Sequence, residues 1–477
     1  MHEQSIFDEK MDKVKLTLED VFEIPGAEIF NPGSFKSLNY VSIDSRNIKK
    51  NSLFVALKGK RLDAHNFIRD AVKNGAAAVV INKNRINDFD DLNIPVITVK
   101  NTTKALGDIA RIWRSKLKTK VIGITGSTGK TSTKEMLATI LGQRFKVNKT
   151  AANNNNHIGV PLTLLDTNNQ HEVLVAELGT NHFGEIAYTA SIVQPDYAII
   201  TNIGDSHLEY LVNRKGVLKE KLALFEAAAL RNGTLFINND DKYLKNVLKK
   251  YPAKVSFSVV EDKNSAANAD VTGKIAGYTE DGKAKIELRY KTKSIKDVLP
   301  VYGEQGVKNL VACAAIAFKL GMTKDEILSG IKKLKAADKR LNVKNGKKYL
   351  LIDDTYNANP ESMKAALNLL GNITKYSRKV AVIGDMFELG DESAAKHKGL
   401  ASIVKKNRID EVYTIGKYTK YLAEQLKNVK MQSKHFNSRN SLATYLEKLN
   451  MNDSVVLVKG SRGMKMEEFV KIILNKG

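Results

Sequence analysis

The chain has 477 residues, 43% of them hydrophobic, and a formal net charge of +24. At roughly 150 residues per domain, this length predicts about three domains. No apolar run approaches the roughly 18 residues that cross a bilayer, so we expect no membrane insertion. The single cysteine, Cys313, excludes a disulfide bond within the chain, and a cytoplasmic location is expected.

The positive charge favours anionic small molecules as ligands rather than nucleic acid. The lysines are spread along the whole chain and are not gathered into one tract with aromatic residues between them. Proteins that bind nucleic acid usually show such a basic stripe with stacking side chains. We therefore expect no nucleic-acid partner.

The first hundred residues read as a small α/β unit. Short β-rich runs occur at "NYVSIDSRNI", "SLFVALKG", "AAAVVIN" and "IPVITVK". The run "AHNFIRDAVKNGA" predicts a helix that ends at Gly75. A second helix is expected from Thr102 to Trp113 and leads into the middle of the chain.

The middle of the chain alternates strands with helices. Strands are predicted at "KVIGIT", "EVLVAEL", "DYAIITNI" and "GTLFIN", which is typical of a parallel doubly wound sheet. A strand-rich patch ("AKVSFSVV", "KAKIELRYK") then precedes the helices "GVKNLVACAAIAFKLG" and "TKDEILSGIKKLK".

The last part reads as a further α/β domain. The chain turns polar from Ala336 to Lys347, which suggests a linker, and "YLLIDDTY", "KVAVIGDM", "EVYTIG" and "SVVLVKGS" then alternate with helices. The expected domain boundaries are 1–101, 102–335 and 336–477.

A Gly-rich turn between the strand "KVIGIT" and a helix is the strongest motif. It lacks the first glycine of the strict phosphate-loop pattern, because Ile124 stands there. Gly126 and Gly129 allow backbone N–H groups to approach phosphate at a helix N-terminus. Lys130 can reach the β and γ phosphates, and the Thr131 hydroxyl can bind Mg²⁺. The sequence therefore predicts a nucleotide site.

Polar residues at the ends of the following strands are candidates for the same site, because open parallel sheets place ligands there. Glu177 ends an apolar strand, and a carboxylate beside a phosphate turn suits Mg²⁺. His207 occupies a similar position, with structural and functional roles about equally supported by position alone. The asparagines of "ANNNNHIGVP" suit a turn in their own right and stay ambiguous.

Taken together, these stretches resemble the Mur ligases, the ATP-dependent amide-bond ligases of peptidoglycan precursor synthesis. The ordered set comprises "SIDSR", "LFVALKG", "TGSTGKTSTKEM", "NNNNHIGVPLTLL", "AELGTNHFGEI", "TNIGDSHLEYL", "IDDTYNANPESMKAAL", "VIGDMFELG" and "LVKGSRGMKMEE". The pattern is closest to the member that adds D-alanyl-D-alanine to a UDP-N-acetylmuramoyl tripeptide. The resemblance implies a small N-terminal α/β domain, a central P-loop ATPase-like domain and a C-terminal Rossmann-like domain.

The resemblance also implies the chemistry and the cofactors. The substrate carboxylate would take the γ-phosphoryl group of ATP, and the dipeptide amine would attack the resulting acyl phosphate, with two Mg²⁺ ions and a carbamylated Lys221 assisting. A monomer is expected.

The roles of individual residues follow by the same resemblance. The expected catalytic set is Lys130, Glu177, His207, Lys221 and Arg340. The expected ATP-binding set is Gly126, Ser127, Thr128, Gly129, Lys130, Thr131, Asn309, Arg340, Asp354 and Tyr356. Metal would be held by Thr131, Glu177, His207 and Lys221. Substrates would contact Asp44, Ser45, Arg46, Asn155, Asn156, Asn181, His182, Ser461 and Arg462.

Two positions depart from the family pattern. Gly306 stands where a second asparagine usually precedes the one at Asn309, and Ala152 replaces the glycine before the asparagine cluster. Neither change removes a catalytic group.

Three alternatives stay open at this stage. The chain could be another ligase of the superfamily, of the folylpolyglutamate or cyanophycin type. It could be a P-loop ATPase stimulated by nucleic acid, or a nucleotide-binding regulator without turnover.

Overall fold

The computed structural model describes residues 14–260, 269–429 and 431–475. The chain divides into two compact units. The first comprises Met1–Thr125, Phe145–Ile199 and Ala223–Thr234, and the second comprises Gly126–Arg144, Ile200–Leu222 and Leu235–Gly477. The strands of the described residues form three sheets, of five, nine and six strands. The fold is mixed α/β, as the sequence predicted.

The five-stranded sheet lies in the first unit and has the order β1-β5-β4-β3-β2. Its strands are β1 Glu28–Phe30, β2 Tyr40–Ser42, β3 Ser52–Val55, β4 Ala76–Asn82 and β5 Val96–Val99. Strands β2 to β5 are parallel, and β1 pairs antiparallel with β5. Every residue of β3 and β5 is buried, which is why these strands read as continuous apolar runs.

The rest of the first unit supplies the strand that leads into the phosphate turn. Strands β6 Lys120–Thr125, β7 Val147–Lys149 and β8 Val173–Glu177 are parallel in the order β6-β8-β7. The α-helices between Leu18 and Val193 are α1 Leu18–Phe22, α2 Ile68–Lys73, α3 Thr102–Lys116, α4 Lys130–Leu141, α5 Gly159–Leu165 and α6 Glu185–Val193. Helix α3 is fixed by the Trp113 indole, which donates to the Thr167 carbonyl at 2.8 Å.

A strand series that changes direction begins in the first unit and lies mostly in the second. The elements that follow α6 are β9 Tyr197–Ile200, α7 Leu208–Leu211, α8 Arg214–Ala229, β10 Thr234–Asn238, α9 Lys242–Lys245, β11 Lys254–Val260, β12 Val271–Tyr278, β13 Ala284–Tyr290 and β14 Lys293–Val298. Strands β10, β11 and β12 are parallel, whereas β12, β13 and β14 form an antiparallel meander. The expected parallel sheet is therefore extended by a meander.

Two helices follow the meander, α10 Glu304–Lys319 and α11 Lys324–Lys332. Helix α10 is buried on nearly every side, which explains its almost unbroken apolar sequence. Cys313 lies inside this helix, and burial raises the pKa of its thiol. The cysteine is a packing residue.

The six-stranded sheet, also in the second unit, has the order β15-β16-β20-β17-β18-β19. Its strands are β15 Asn342–Asn345, β16 Tyr349–Asp354, β17 Arg378–Gly384, β18 Glu411–Ile415, β19 Gln432–Phe436 and β20 Ser454–Lys459. Its helices are α12 Pro360–Asn372, α13 Ser393–Lys406, α14 Thr419–Asn428, α15 Arg439–Lys448 and α16 Glu467–Leu474. Two apolar clusters cover the two faces of this sheet.

Part of the expected linker is a strand. Asn342 pairs with Asp353 as β15 runs antiparallel to β16, so the interpretation of residues 336–347 as a linker is wrong for Asn342–Asn345. An edge strand with polar side chains leaves little hydrophobic signal, which is why the pattern suggested a linker. No helix in the described part of the chain is long and apolar enough to span a membrane.

Candidate active site

The phosphate turn connects β6 to α4, and its two glycines are required by close packing. Gly126 has φ +152°, and a Cβ there would clash with the Thr201 hydroxyl. Gly129 has φ +79°, and a Cβ there would lie 2.8 Å from Asn309 Oδ1. Larger residues would therefore change the shape of the turn.

The segment after β9 holds the turn from one side. The Thr128 N–H donates to Asn202 Oδ1 at 2.9 Å, and Asn202 Nδ2 donates to the Thr128 hydroxyl at 2.9 Å. The Ser127 N–H donates to the Asn202 carbonyl at 3.0 Å. Because these two N–H groups are engaged, an anion is best placed at the first turn of α4, where the helix N–H groups point outward.

Two cations and a hydroxyl meet at the start of α4. Lys130 Nζ donates to the Gly126 carbonyl at 2.7 Å, and Arg340 donates to the Thr131 hydroxyl at 3.2 Å. The Arg340 guanidinium lies over the Tyr356 ring, 3.9 Å from its centroid. Arg340 is thus oriented by stacking and can place charge at the phosphate turn.

Asp354 organises the chain around Arg340. Its carboxylate accepts from the Leu341 N–H at 3.1 Å and from the buried Lys459 ammonium at 2.6 Å. The Tyr356 N–H donates to the Lys339 carbonyl at 3.1 Å. In this structure Asp354 and Tyr356 both position the arginine.

Lys221 lies in α8 and is fully buried. Burial lowers its pKa well below the ordinary lysine value, and the nearby charge of Lys130 lowers it further, while Glu220 opposes the shift. A neutral amine is the reactive form of lysine, so this environment suits covalent modification of the side chain.

His207 lies after β9 in a left-handed conformation, with φ +53°. Its Nδ1 is 2.8 Å from Glu388 Oε2, although the ring N–H does not point squarely at that oxygen. This contact lowers the pKa of the Glu388 carboxyl, and Lys130 adds to the effect. The two sequence candidates His207 and Lys130 therefore share an acidic neighbour.

In the first unit, Glu177 ends β8 and meets the asparagine-rich turn. Asn155 Nδ2 donates to Glu177 Oε1 at 2.8 Å, and the Glu177 N–H donates to the Thr150 hydroxyl at 3.0 Å. The carboxylate is buried. The asparagine-rich turn therefore contacts the end of β8 through the Asn155–Glu177 hydrogen bond.

Within the described residues, no three His, Cys, Asp or Glu side chains cluster closely enough to hold a metal ion. Mg²⁺ at a nucleotide site is usually held by one or two protein oxygens together with phosphates and waters. The Thr131 hydroxyl at the turn is an oxygen ligand of this kind. The donor chemistry fits Mg²⁺ bound with a nucleotide.

Comparisons with known proteins agree along the chain. Residues 37–114 match the Mur ligase family catalytic domain, residues 124–317 the Mur ligase middle domain, and residues 339–462 the Mur ligase glutamate ligase domain. The UDP-N-acetylmuramoyl-tripeptide–D-alanyl-D-alanine ligase of Bacillus subtilis is 33% identical over 97% of this chain and 99% of its own length. That of Escherichia coli is 36% identical over the same shares.

The chain belongs to the Mur ligase family.

Solved structures of related enzymes resemble this Mur ligase over most of its length. MurF from Acinetobacter baumannii has a TM-score of 0.85 at 31% identity, covering 98% of this chain and 100% of that protein. The MurF ligase from Thermotoga maritima in complex with ADP has a TM-score of 0.78 at 28% identity, covering 92% and 97%. The three-domain architecture expected from the resemblance is confirmed.

Asn309 of this Mur ligase lies against the phosphate turn. It is buried, and its Oδ1 accepts from Gln305 Nε2 at 2.9 Å. Gly306, the departure from the family pattern, is buried, and a Cβ there would come within 3.3 Å of Val301. Gln305 is therefore the polar residue that accompanies Asn309 here.

The expected contacts for the UDP part form a compact turn in the first unit. Arg46 makes a two-point ion pair with Asp44, at 2.9 and 2.7 Å, and holds the pKa of Asp44 at about 2. The Ser45 carbonyl accepts from Asn74 at 2.9 Å. The Arg46 side chain remains highly exposed.

The other expected substrate residues differ in how their side chains are used. Asn156 Oδ1 accepts two backbone N–H groups at the start of α5. The Asn181 N–H and the His182 ring both contact Glu185, and His182 is exposed.

In the second unit, the Ser461 hydroxyl is buried. It accepts from the Phe387 N–H at 2.8 Å and donates to the Ala358 carbonyl at 3.3 Å. Arg462 is exposed, with its guanidinium 5.6 Å from the Tyr356 ring centroid. Of these two, the arginine is the better placed to meet a ligand.

Sequence reasoning missed several residues around the site. They are Thr201, Asn202, Asp205, Arg214, Gln305, Glu361, Glu388 and Lys396. Thr201, Asn202, Asp205, Glu361 and Glu388 lie within the quoted family motifs, whereas Arg214, Gln305 and Lys396 carry no motif. The motifs did not indicate which of these residues contact one another. Their pairing depends on tertiary structure.

Proposed function

We propose that this Mur ligase joins D-alanyl-D-alanine to UDP-N-acetylmuramoyl-tripeptide with consumption of ATP. The observation that carries the proposal is near full-length similarity to relatives bearing that name, at 33% and 36% identity. The phosphate turn supports it, because Lys130 and Arg340 both lie at the first turn of α4. The reaction belongs to peptidoglycan precursor synthesis.

In the first step, the terminal carboxylate of the tripeptide attacks the γ-phosphorus of ATP. An oxygen–phosphorus bond forms, the bond to the β-phosphate oxygen breaks, and ADP leaves. Lys130 and Arg340 neutralise the charge that spreads over the transferring group, which is the main protein contribution to phosphoryl transfer.

In the second step, the free amine of the dipeptide attacks the acyl carbon. The tetrahedral intermediate loses phosphate, a proton leaves the nitrogen, and the amide remains. A carboxylate is a poor acyl donor until one oxygen becomes part of a good leaving group, so the chemistry needs ATP. Binding the substrates next to each other supplies much of the rate.

Two Mg²⁺ ions accompany the nucleotide in this proposal, with Thr131, Glu177, His207 and Lys221 as the protein side of their sites. Mg²⁺ supplies charge neutralisation at the phosphates when bound. We further propose that Lys221 is carbamylated, since its buried amine has a lowered pKa and a carbamate would provide oxygen ligands. The modification would replace a buried cation with an anion.

We assign the remaining expected residues to substrates on the basis of the family resemblance. ATP would contact residues 126–131, Asn309, Arg340, Asp354 and Tyr356. The UDP part would meet Asp44, Ser45 and Arg46. Asn155, Asn156, Asn181 and His182 would face the acyl substrate, while Ser461 would support the loop from which Arg462 meets the dipeptide.

The proposal extends to the organisation of the protein. The working domains are 1–101, 102–335 and 336–477, the enzyme is a monomer, and nucleic acid takes no part. The reaction takes place in the cytoplasm, in keeping with a chain whose only cysteine is a buried thiol.

The test is phosphate release by the purified full chain, measured with each substrate omitted in turn. We expect release only when ATP, Mg²⁺, UDP-N-acetylmuramoyl-tripeptide and D-alanyl-D-alanine are all present, with a product whose mass equals the two joined substrates less one water. Release triggered by glutamate with a folate, by arginine or aspartate with a cyanophycin primer, or by nucleic acid would support the alternatives instead.

A further inference from the structure

The segment 201–207, which follows β9, contacts the phosphate turn along one side. Besides the Asn202 contacts described above, the Ser127 hydroxyl accepts two hydrogen bonds from this segment. They come from the Gly204 N–H at 2.9 Å and from the Ser206 hydroxyl at 3.0 Å. Ser127 is buried. The shape of the phosphate turn therefore depends on where this segment lies.

The same segment lies against Glu361, a residue to which the sequence assigned no role. Glu361 Oε1 accepts from the Asp205 N–H at 3.0 Å and from Arg214 at 2.9 Å. Gly204 passes so close that a Cβ there would lie 2.9 Å from the Glu361 carboxyl carbon. The carboxylate thus contacts both the backbone of the segment and the helix α8 that follows it.

Further charges complete this contact. Asp205 accepts two hydrogen bonds from Arg214, at 2.6 and 2.9 Å, and one from Lys396 at 2.7 Å. Two carboxylates and two cations balance one another around Asp205, which is buried while the other three side chains are partly exposed, and hydrogen bonds to a buried carboxylate are stronger than at the surface. We call Asp205, Arg214, Glu361 and Lys396 the four-charge cluster.

Glu361 is fixed by the helix that carries it. Helix α12 begins at Pro360, and Asn359 and Ser362 form a capping box around its first turn. This start leaves the backbone of Glu361 little freedom. The start of α12 therefore fixes the backbone of Glu361, and the hydrogen bonds of its carboxylate connect that position to the 201–207 segment and to Arg214.

We propose that Glu361 is a positioning residue for the nucleotide site. It holds the 201–207 segment so that Asn202, Gly204 and Ser206 keep the phosphate turn in its binding shape. Glu361 touches neither nucleotide nor metal and acts through Ser127 and Thr128. The proposal rests on the proposed function, because it assumes that the turn binds the phosphates of ATP.

The test is binding of ADP with Mg²⁺ to the full chain, measured by titration calorimetry, for the wild type, Glu361→Gln and Glu392→Gln. Glu392 is the matched control, because it pairs with the same Lys396 at 3.1 Å from an exposed position. Glutamine at 361 can keep one oxygen for both donors but removes the negative charge that faces Arg214, so we expect the Kd for ADP to rise about tenfold, roughly the difference between a charged and a neutral hydrogen bond. The Kd of Glu392→Gln for ADP should stay within about twofold of the wild-type value.

Steady-state kinetics separate positioning from a general loss of structure. We expect Glu361→Gln to raise KM for ATP about tenfold while KM for the acyl substrate stays within about twofold. Glu361→Asp, which retains the charge but is one methylene shorter, should show a smaller increase. Should Glu361→Gln destabilise the fold, the Asp variant carries the test.

The proposal is overturned if ADP binds Glu361→Gln and Glu361→Asp as tightly as wild type, or if both KM values rise together. These results leave the proposed function standing, provided that the wild type ligates. A wild type that binds no ADP at all would instead contradict the proposed function.

Discussion

Within the four-charge cluster, the Asp205–Arg214 pair offers a quantitative test because the chain contains a matched pair elsewhere. Arg69 and Asp91 also make a two-point contact at 2.6 and 2.9 Å, through the two terminal guanidinium nitrogens rather than through Nε and one terminal nitrogen, and both side chains are more than half exposed. Asp205 is 7% exposed and Arg214 is 36% exposed. The pairs share residue types and contact distances, and they differ in solvent access and in which guanidinium nitrogens make the contact.

The magnitude follows from the pKa of Asp205, which Arg214 and Lys396 hold at about 2 against burial. The ordinary pKa is about 3.9, and one pKa unit corresponds to about 1.4 kcal/mol, so ionised Asp205 contributes about 2.5 kcal/mol in total. Because the folded-state pKa is lowered, this stability is fully present above about pH 4 and is lost as the pH falls toward 2. Since Lys396 shares the effect and Arg214 is partly exposed, we expect the Asp205–Arg214 coupling to be about 1 to 2 kcal/mol at pH 7.

The assay is a double-mutant cycle at pH 7 with Asp205→Asn and Arg214→Gln, and a second cycle with Asp91→Asn and Arg69→Gln. Melting is followed by calorimetry, and in a large domain 1 kcal/mol shifts Tm by about 2 °C. The Asp205–Arg214 cycle should deviate from additivity by about 2 to 4 °C, with less than half that deviation in the exposed pair. Equal deviations in both cycles, or additive effects at Asp205 and Arg214, would refute the reasoning that burial strengthens the cluster.

Substitutions at three further residues test the site. Lys221→Ala should ligate at less than about 1% of the wild-type rate, and acetate should partly restore it by supplying a metal-binding carboxylate in the vacated space; full activity without acetate would make Lys221 a packing residue. Asn202→Ala removes two side-chain hydrogen bonds to Thr128, so KM for ATP should rise about tenfold with little change in KM for the dipeptide, a split read from steady-state kinetics; parallel rises would argue against a local effect on the turn. Tyr356→Phe keeps the ring under Arg340 and should retain kcat within about twofold, whereas Tyr356→Leu should lower it about tenfold, measured as phosphate release; equal losses in both would point to the hydroxyl group instead.

The phosphate turn could be predicted from the sequence because its signal is local. A buried strand, two glycines, a lysine and a threonine occupy consecutive positions, and the left-handed backbone at Gly129 is what such a pattern requires. Most of the buried strands could likewise be read from their apolar runs, whereas the strands β1, β7, β12, β14 and β19 were not predicted. The edge strand β15 was missed because its polar residues carry no such run.

The partners of the turn could not be predicted from the residues alone. Arg340 contacts Thr131 across 209 positions of sequence, and Asp205 contacts Glu361 across 156. No periodicity or spacing connects positions so far apart, so Arg340, Asp354 and Tyr356 were reached only through the family resemblance. Asn202 and Glu361 are common polar residues whose roles follow from where the fold places them.

The most direct test of the account is the fate of the carboxylate oxygens of the acyl substrate. UDP-N-acetylmuramoyl-tripeptide labelled with oxygen-18 in its terminal carboxylate is incubated with the enzyme, ATP, Mg²⁺ and D-alanyl-D-alanine, and the released phosphate is analysed by mass spectrometry. An acyl phosphate requires that one labelled oxygen pass from the carboxylate to each phosphate formed. Phosphate without label, accompanied by an unjoined dipeptide, would show that the chain hydrolyses ATP without activating the carboxylate and would contradict the account.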